Sequence, residues 1–213
     1  VASGKASNGD ELIYIAPNIV ADVNASNAAT EYPEQIDITQ YPIVNIVNGY
    51  NIRQGTITNA GLTANVLIAE KIGRGTAQII YLWDNYTDGF ATYSRQLSNF
   101  PVGTFTYDGI FNAGSRSGDF SEIGAVTFSS DFQNNTFNIN GTTASTSLTG
   151  SGYIDKSNGR ISSGNLSFIS PYGTNYTATT IGRFAEANAA NVTGVFYTND
   201  NNPDYAGSFS ADR

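Results

Sequence analysis

Cysteine, histidine and methionine are all absent from the 213 residues, and these absences remove whole classes of chemistry. Without cysteine there is no disulfide framework, zinc-thiolate site or iron-sulfur cluster. Without histidine, Ser-His-Asp and Cys-His catalysis lose the imidazole that acts as base near neutral pH. The usual protein ligands to haem iron shrink to tyrosinate. Charge is sparse as well: 13% of residues are charged, 18 acidic against 10 basic, for a net charge of -8. Such a chain has no basic footprint with which to displace counterions from phosphates, so nucleic acid is excluded as a partner. Long hydrophobic runs are also missing. The longest, such as Val66-Leu67-Ile68-Ala69, fall far below the roughly 18 residues of a transmembrane helix, so no transmembrane segment is expected and the chain reads as soluble. No basic segment followed by an apolar one opens it, and Val1 reads as the start of a mature or trimmed chain. A removed signal peptide or lipid-bearing cysteine would leave no trace.

What the sequence does contain is Asn, Gly, Ser and Thr alternating with Phe, Tyr, Ile and Val, a texture of short strands and tight turns. The second half carries it most regularly. Thr104 to Phe111 places Phe105, Tyr107 and Phe111 on one face; Ala125 to Phe132 groups Val126, Phe128 and Phe132; Thr136 to Asn140 alternates Phe137 and Ile139 with Asn138 and Asn140. Period two marks a strand with one buried face. Gln133-Asn134-Asn135 and Lys156-Ser157-Asn158-Gly159 supply turn residues that tolerate positive φ. Further strands are expected over Ser147–Ile154, Arg160–Ile169, Asn175–Phe184, Val192–Thr198 and Asp204–Ser210. That makes about eight strands in roughly 110 residues, the spacing of an antiparallel sandwich or barrel. The pattern leaves open whether the last strand pairs with the first.

Residues 1–100 are less regular. Leu12–Ile15, Ile36–Ile38, Ile43–Val47 and Ala77–Trp83 read as strands, Gly61–Ile72 as a short helix or two strands, and Tyr86–Leu97 as a second possible helix weakened by Gly89. A boundary falls near Phe100-Pro101-Val102-Gly103, where Pro and Gly punctuate the chain. Two regions follow: an N-terminal, mostly-β region of residues 1–100 and a C-terminal domain of residues 101–213.

From about residue 102 the order of features resembles the β-barrel domain shared by transferrin-binding protein B, factor H-binding lipoproteins and the hemophilins. The resemblance is carried by Gly103-Thr104-Phe105-Thr106-Tyr107-Asp108-Gly109 and Ser130-Asp131-Phe132, then Thr149-Gly150-Ser151-Gly152-Tyr153 and Thr193-Gly194-Val195-Phe196-Tyr197, and finally the closing Ala206-Gly207-Ser208-Phe209-Ser210. It covers about half the chain. It implies an all-β protein: an eight-stranded antiparallel β-barrel in the C-terminal half, with residues 1–100 as a handle that makes the ligand contacts. It further implies a surface lipoprotein anchored at the bacterial outer membrane, or a secreted protein, that serves host association, colonisation or nutrient acquisition. The partner implied is a host protein or other host macromolecule, with an outer-membrane translocator or receptor aiding display. The alternative it implies is a hemophilin-type carrier of haem or a small hydrophobic metabolite, held between handle and barrel. A histidine-ligated haem cannot be transferred to a chain without histidine, and the length suits a single-lobe member.

Candidate binding residues are aromatic. Tyr and Trp give large, rigid contact area with one polar tip. Trp83, Tyr86, Phe90 and Tyr93 stand out because Asp84-Asn85 and Asp88-Gly89 interrupt the apolar pattern among them, and Tyr41 and Tyr50 lie near expected loops. An ordinary strand or core role is the competing reading for each. Asp84 to Gly89 lacks the alternating ligands and distant Glu of a calcium loop; Asx-stabilised turns are expected there and at Asp155 to Gly159. No pair among Glu11, Glu31, Glu34, Asp37, Glu70, Glu122 and Glu186 has spacing that singles it out for glycoside hydrolysis. The expectation is therefore no catalytic residue, no metal site, no obligatory cofactor and no enzyme.

Overall fold

The computed structural model describes residues 2–5, 11–15, 41–59, 62–71, 74–81, 86–93, 99–117, 119–200 and 204–213. Among the described residues seven strands precede residue 100: β1 (Ala2–Lys5), β2 (Glu11–Ile15), β3 (Ile43–Val47), β4 (Tyr50–Asn59), β5 (Leu62–Lys71), β6 (Arg74–Tyr81) and β7 (Tyr86–Tyr93). Eight follow: β8 (Thr104–Ser115), β9 (Ser121–Asp131), β10 (Thr136–Thr142), β11 (Ser147–Asp155), β12 (Arg160–Ile169), β13 (Asn175–Ala185), β14 (Asn191–Thr198) and β15 (Tyr205–Asp212).

The alternation read in the second half is the wall of a closed barrel. Each strand from β8 to β15 pairs antiparallel with the next, and β15 returns to β8 in a continuous register from Tyr205↔Ser115 to Asp212↔Asp108. This closure makes the architecture a barrel and leaves no free edge. Inward positions are filled by rings. Phe128 stacks on Phe137 at 4.8 Å, and Phe184 meets Phe132 at 5.0 Å and Tyr107 at 5.6 Å. Phe196 stacks on Phe111 at 5.3 Å and contacts Phe168 at 5.3 Å. Some inward glycines exist to admit these rings: a Cβ at Gly194 would lie 2.6 Å from Phe209 Cζ. The lumen is thus a packed aromatic core. The outward residues of β10 and β12 are mainly Ser, Thr and Asn, so the wall is apolar inside and polar outside, the reverse of a barrel that faces lipid. Among the described residues no helix is long and apolar enough to cross a membrane.

The first seven strands form one sheet in the order β1-β2-β7-β6-β5-β4-β3, with every pair antiparallel. The stretch read as a short helix or two strands is the single strand β5, and the second possible helix begins as β7. Ile36–Ile38 lies outside the described residues. In β5, Leu67, Ile68 and Ala69 are consecutive buried residues, because both faces of the sheet are covered there. An apolar run of this kind carries no period by which strand and helix can be told apart.

The sheet lies against the outside of the barrel, with β6 and β7 over β14, β15 and β8. Burial records its footprint. β14 and β15 are buried on both faces along nearly their whole length, and β8 from Gly109 onward, whereas β10 and β11 alternate buried and exposed residues in the manner of a solvent-facing wall.

Candidate functional site

Tyr50 opens β4 after the Asn48-Gly49 turn, whose two residues both have positive φ, 51° and 79°, as a tight hairpin demands. Its ring is fully buried between sheet and barrel, in a cluster with Ile52, Leu67 and Ala69 of the sheet and Ile110 of β8. The phenol lies 3.1 Å from Ser210 Oγ and 3.4 Å from Asp212 Oδ2. Lys71 Nζ sits 2.9 Å from that same carboxylate oxygen and 5.5 Å above the Tyr50 ring. Asn191 Nδ2 donates to the other Asp212 oxygen at 3.0 Å, and Asn48 Nδ2 donates to the Gly109 carbonyl at 2.9 Å. These contacts form a polar clasp around an apolar seam.

Tyr41 lies on the opposite face of the sheet. Its ring rests on Gly55, where any Cβ would overlap it, and Arg53 Nη1 donates to its carbonyl at 2.6 Å while Arg53 Nε pairs with Glu70 at 3.1 Å. The structure therefore gives Tyr41 and Tyr50 buried positions on opposite faces of the handle. Tyr86, Phe90 and Tyr93 all fall on β7, in pairing register with Tyr81, Ala77 and Arg74 of β6. Trp83 lies outside the described residues, in the connection between the paired Tyr81 and Tyr86. The registers Asn59↔Leu62, Ala64↔Tyr81 and Tyr81↔Tyr86 put the end of β4, the start of β5, the end of β6 and the start of β7 at the same end of the sheet.

The aliphatic surface of the handle was not singled out from the sequence. β3 is an edge strand, and Ile43, Val44 and Ile46 are 48%, 52% and 65% exposed. The signal was present as Ile43-Val44-Asn45-Ile46-Val47, an apolar strand with little alternation, but it reads equally well as a buried strand.

The acidic turn expected at Asp155 to Gly159 is a turn, and Asp131 caps the Gln133-Asn134-Asn135 turn, whereas Asp84-Asn85 lie outside the described residues and Tyr86 to Gly89 belong to strand β7. Asp155 accepts hydrogen bonds from Ser157 N at 2.9 Å and Ser157 Oγ at 2.6 Å, and Asp131 from Gln133 N at 2.9 Å and Asn134 N at 3.0 Å. The Ser157 hydroxyl and amide hold the Asp155 carboxyl below its ordinary value, and the Asn134 amides do the same for Asp131. The phenols of Tyr41, Tyr107, Tyr176 and Tyr205 are pushed up by burial. That opposes the tyrosinate form which iron ligation would require.

No family model and no curated protein matches the sequence. Among solved structures, the chain is similar to isotype 1 transferrin-binding protein B from serogroup B Neisseria meningitidis, at 18% identity over 75% of this chain and 34% of that one, with a TM-score of 0.52. It is similar to a double mutant of transferrin-binding protein B from Haemophilus parasuis Hp5, at 13% identity over 98% of this chain and 46% of that one, TM-score 0.55. An intact transferrin-binding protein B with N and C lobes matches at 12% identity over 98% and 47% of the respective chains, TM-score 0.52. The chain spans a third to just under half of these structures. At such identities the likeness concerns the fold alone, and the fold of this chain is like that of a third to just under half of transferrin-binding protein B.

Proposed function

We propose that this protein is a non-enzymatic binding protein of the bacterial surface or secretome, which engages a host protein through its handle while the barrel serves as a rigid platform. The observation that carries the reading is the exposed aliphatic edge strand β3, with Ile43, Val44 and Ile46 open to solvent. Water-soluble proteins ordinarily blunt such edges with charge, proline or a covering segment; an apolar edge suits strand addition or apolar contact by a partner. Trp83 and Tyr86, the latter opening β7 of the same sheet, are proposed as aromatic anchors. The fold likeness supports the reading by analogy, since the similar structures are named for the transferrin they bind. The aromatic packing of the lumen leaves the rival haem carrier little room inside the barrel.

The test is surface plasmon resonance of the full chain against immobilised transferrin and a panel of other serum proteins. Saturable binding that falls at least about tenfold in the Trp83→Ala/Tyr86→Ala double variant and in Ile46→Glu, with an unchanged thermal transition, is the expected result. Equal binding by these variants would reject the handle as the contact surface, and no saturable binding to any host protein would reject the function.

A further inference from the structure

The strands that the handle leaves bare carry a groove on their outer wall. It spans β10 to β13, has a volume of about 640 Å³, and is lined chiefly by Asn138, Ser151, Tyr153, Ser162, Asn165 and Thr179. Among the described residues no acidic or basic side chain lines it.

Two register breaks, one strand apart, shape this wall. β11 shifts against β12 between Thr149 and Tyr153, and β12 against β13 between Ser163 and Leu166. Across the second break the inward set changes parity, from Ile161 to Leu166 and Phe168. One extra residue is therefore inserted around Ser163-Gly164-Asn165. A bulge bends its strand and re-aims side chains, and here it is locked by hydrogen bonds. Ser163 Oγ donates to the Ser151 carbonyl at 2.7 Å, Asn199 Nδ2 donates to the Gly164 carbonyl at 3.1 Å, and Thr179 Oγ1 donates to Asn199 Oδ1 at 2.7 Å. The backbone of the groove is fixed in this way, while the Asn138 and Asn165 amides and the Ser162 hydroxyl have no side-chain partner among the described residues. Tyr153 stands beside them 74% exposed.

We propose that this groove binds a neutral glycan. An exposed tyrosine offers an apolar plate with a polar tip, the surface on which the C–H face of a pyranose ring packs. Each asparagine amide pairs a donor with an acceptor at fixed separation, which matches adjacent sugar hydroxyls. The uncharged lining gives no counterion to a sulfate, phosphate or sialic acid carboxylate. A hydrocarbon ligand would strip water from these amides and hydroxyls without replacing their hydrogen bonds. A peptide strand would need a free sheet edge, and β10 to β13 are interior strands of a closed barrel. The volume falls within the roughly 300–1,000 Å³ range of small-ligand sites. The groove lies on strands away from the handle, so this site stands or falls independently of the handle contact.

The full chain, biotinylated and tetramerised on streptavidin for avidity, would be applied to an array bearing neutral, sialylated and sulfated glycans. The expected result is binding to neutral glycans that falls by about tenfold or more in Tyr153→Ala and in Asn138→Ala, persists in Tyr153→Phe, and leaves the thermal transition unmoved. Failure to bind any glycan, binding confined to the sialylated or sulfated members, or full binding by Tyr153→Ala would overturn it.

Discussion

Ile110→Ala and Ile139→Ala remove the same three carbons from opposite faces of the barrel wall. Ile110 is 0% exposed beneath the handle, and Ile139 is 2% exposed inside the lumen. Three buried carbons at about 0.8 kcal/mol each give roughly 2.4 kcal/mol of lost transfer energy, and the residual cavity raises the cost to about 2–5 kcal/mol at either site. Global stability alone would not tell the variants apart, because both should lower the melting temperature by about 2–4 °C per kcal/mol. Native-state hydrogen exchange resolves them. Ile110 belongs to one buried cluster with Tyr50, Ile52, Leu67 and Ala69, so its truncation should accelerate exchange in β4 and β5 by about thirtyfold for each 2 kcal/mol. Protection in β10 to β13 should hardly change. Truncating Ile139 should instead accelerate exchange around the whole barrel. If Ile110→Ala deprotects β10 to β13 as much as the handle, or leaves β4 and β5 unchanged, the seam is not a separable cooperative unit and the reasoning fails.

Three further outcomes follow from the same contacts. Lys71→Ala should cost under about 1 kcal/mol, since its ion pair is partly exposed, while Asp212→Ala should cost more because Tyr50 and Asn191 also lose an acceptor; equal urea midpoints for the two would contradict the clasp. Gly194→Ala forces a Cβ against Phe209 Cζ at 2.6 Å and the Ile181 carbonyl at 2.7 Å, so a loss of about 1–3 kcal/mol or failure to fold is expected, and wild-type stability would refute the close packing. Acid should destabilise the fold. Burial raises the Glu122 carboxyl, but hydrogen bonds from Thr143, Ser145 and Ala144 outweigh it and hold the group below its ordinary 4.5. The Ser115 and Ser117 hydroxyls hold Asp119 below 3.8. Groups whose folded pKa is lowered contribute stability above their unfolded values and lose it as pH falls through the folded ones, so urea midpoints should decline below about pH 5. A midpoint that stays flat to about pH 3 would contradict this.

The legible and illegible parts of the sequence divide along solvent exposure. β10 and β11 are readable because one face meets water and one meets the aromatic core, which writes period two into the chain. β5 and the second half of β8 are covered on both sides, so their apolar runs lose the period that distinguishes strand from helix. β4 is hard to read although Tyr50 and Ile52 alternate with polar residues, because Gly55 breaks the pattern; that glycine answers to the ring of Tyr41, which no local rule foresees. The burial of Tyr50 was equally invisible, since it depends on the barrel strands that the sheet lies on. The glycan groove left one local trace, Ser162-Ser163-Gly164-Asn165, a small polar run where a strand should alternate. Read as strand continuity, it concealed the bulge.

The clasp between handle and barrel fixes an order of events in time. Ser210 and Asp212, which receive Tyr50 and Lys71, sit on β15, and β15 is also the strand that completes the barrel by pairing with β8. The handle comes earlier in the chain than every residue of the wall it rests on. During synthesis its apolar face is made before the strands that cover it, and β15 is the last of these. Sequence separations of this size make closure slow. Pairing of β15 with β8 therefore completes the barrel and the seat of the handle in one step.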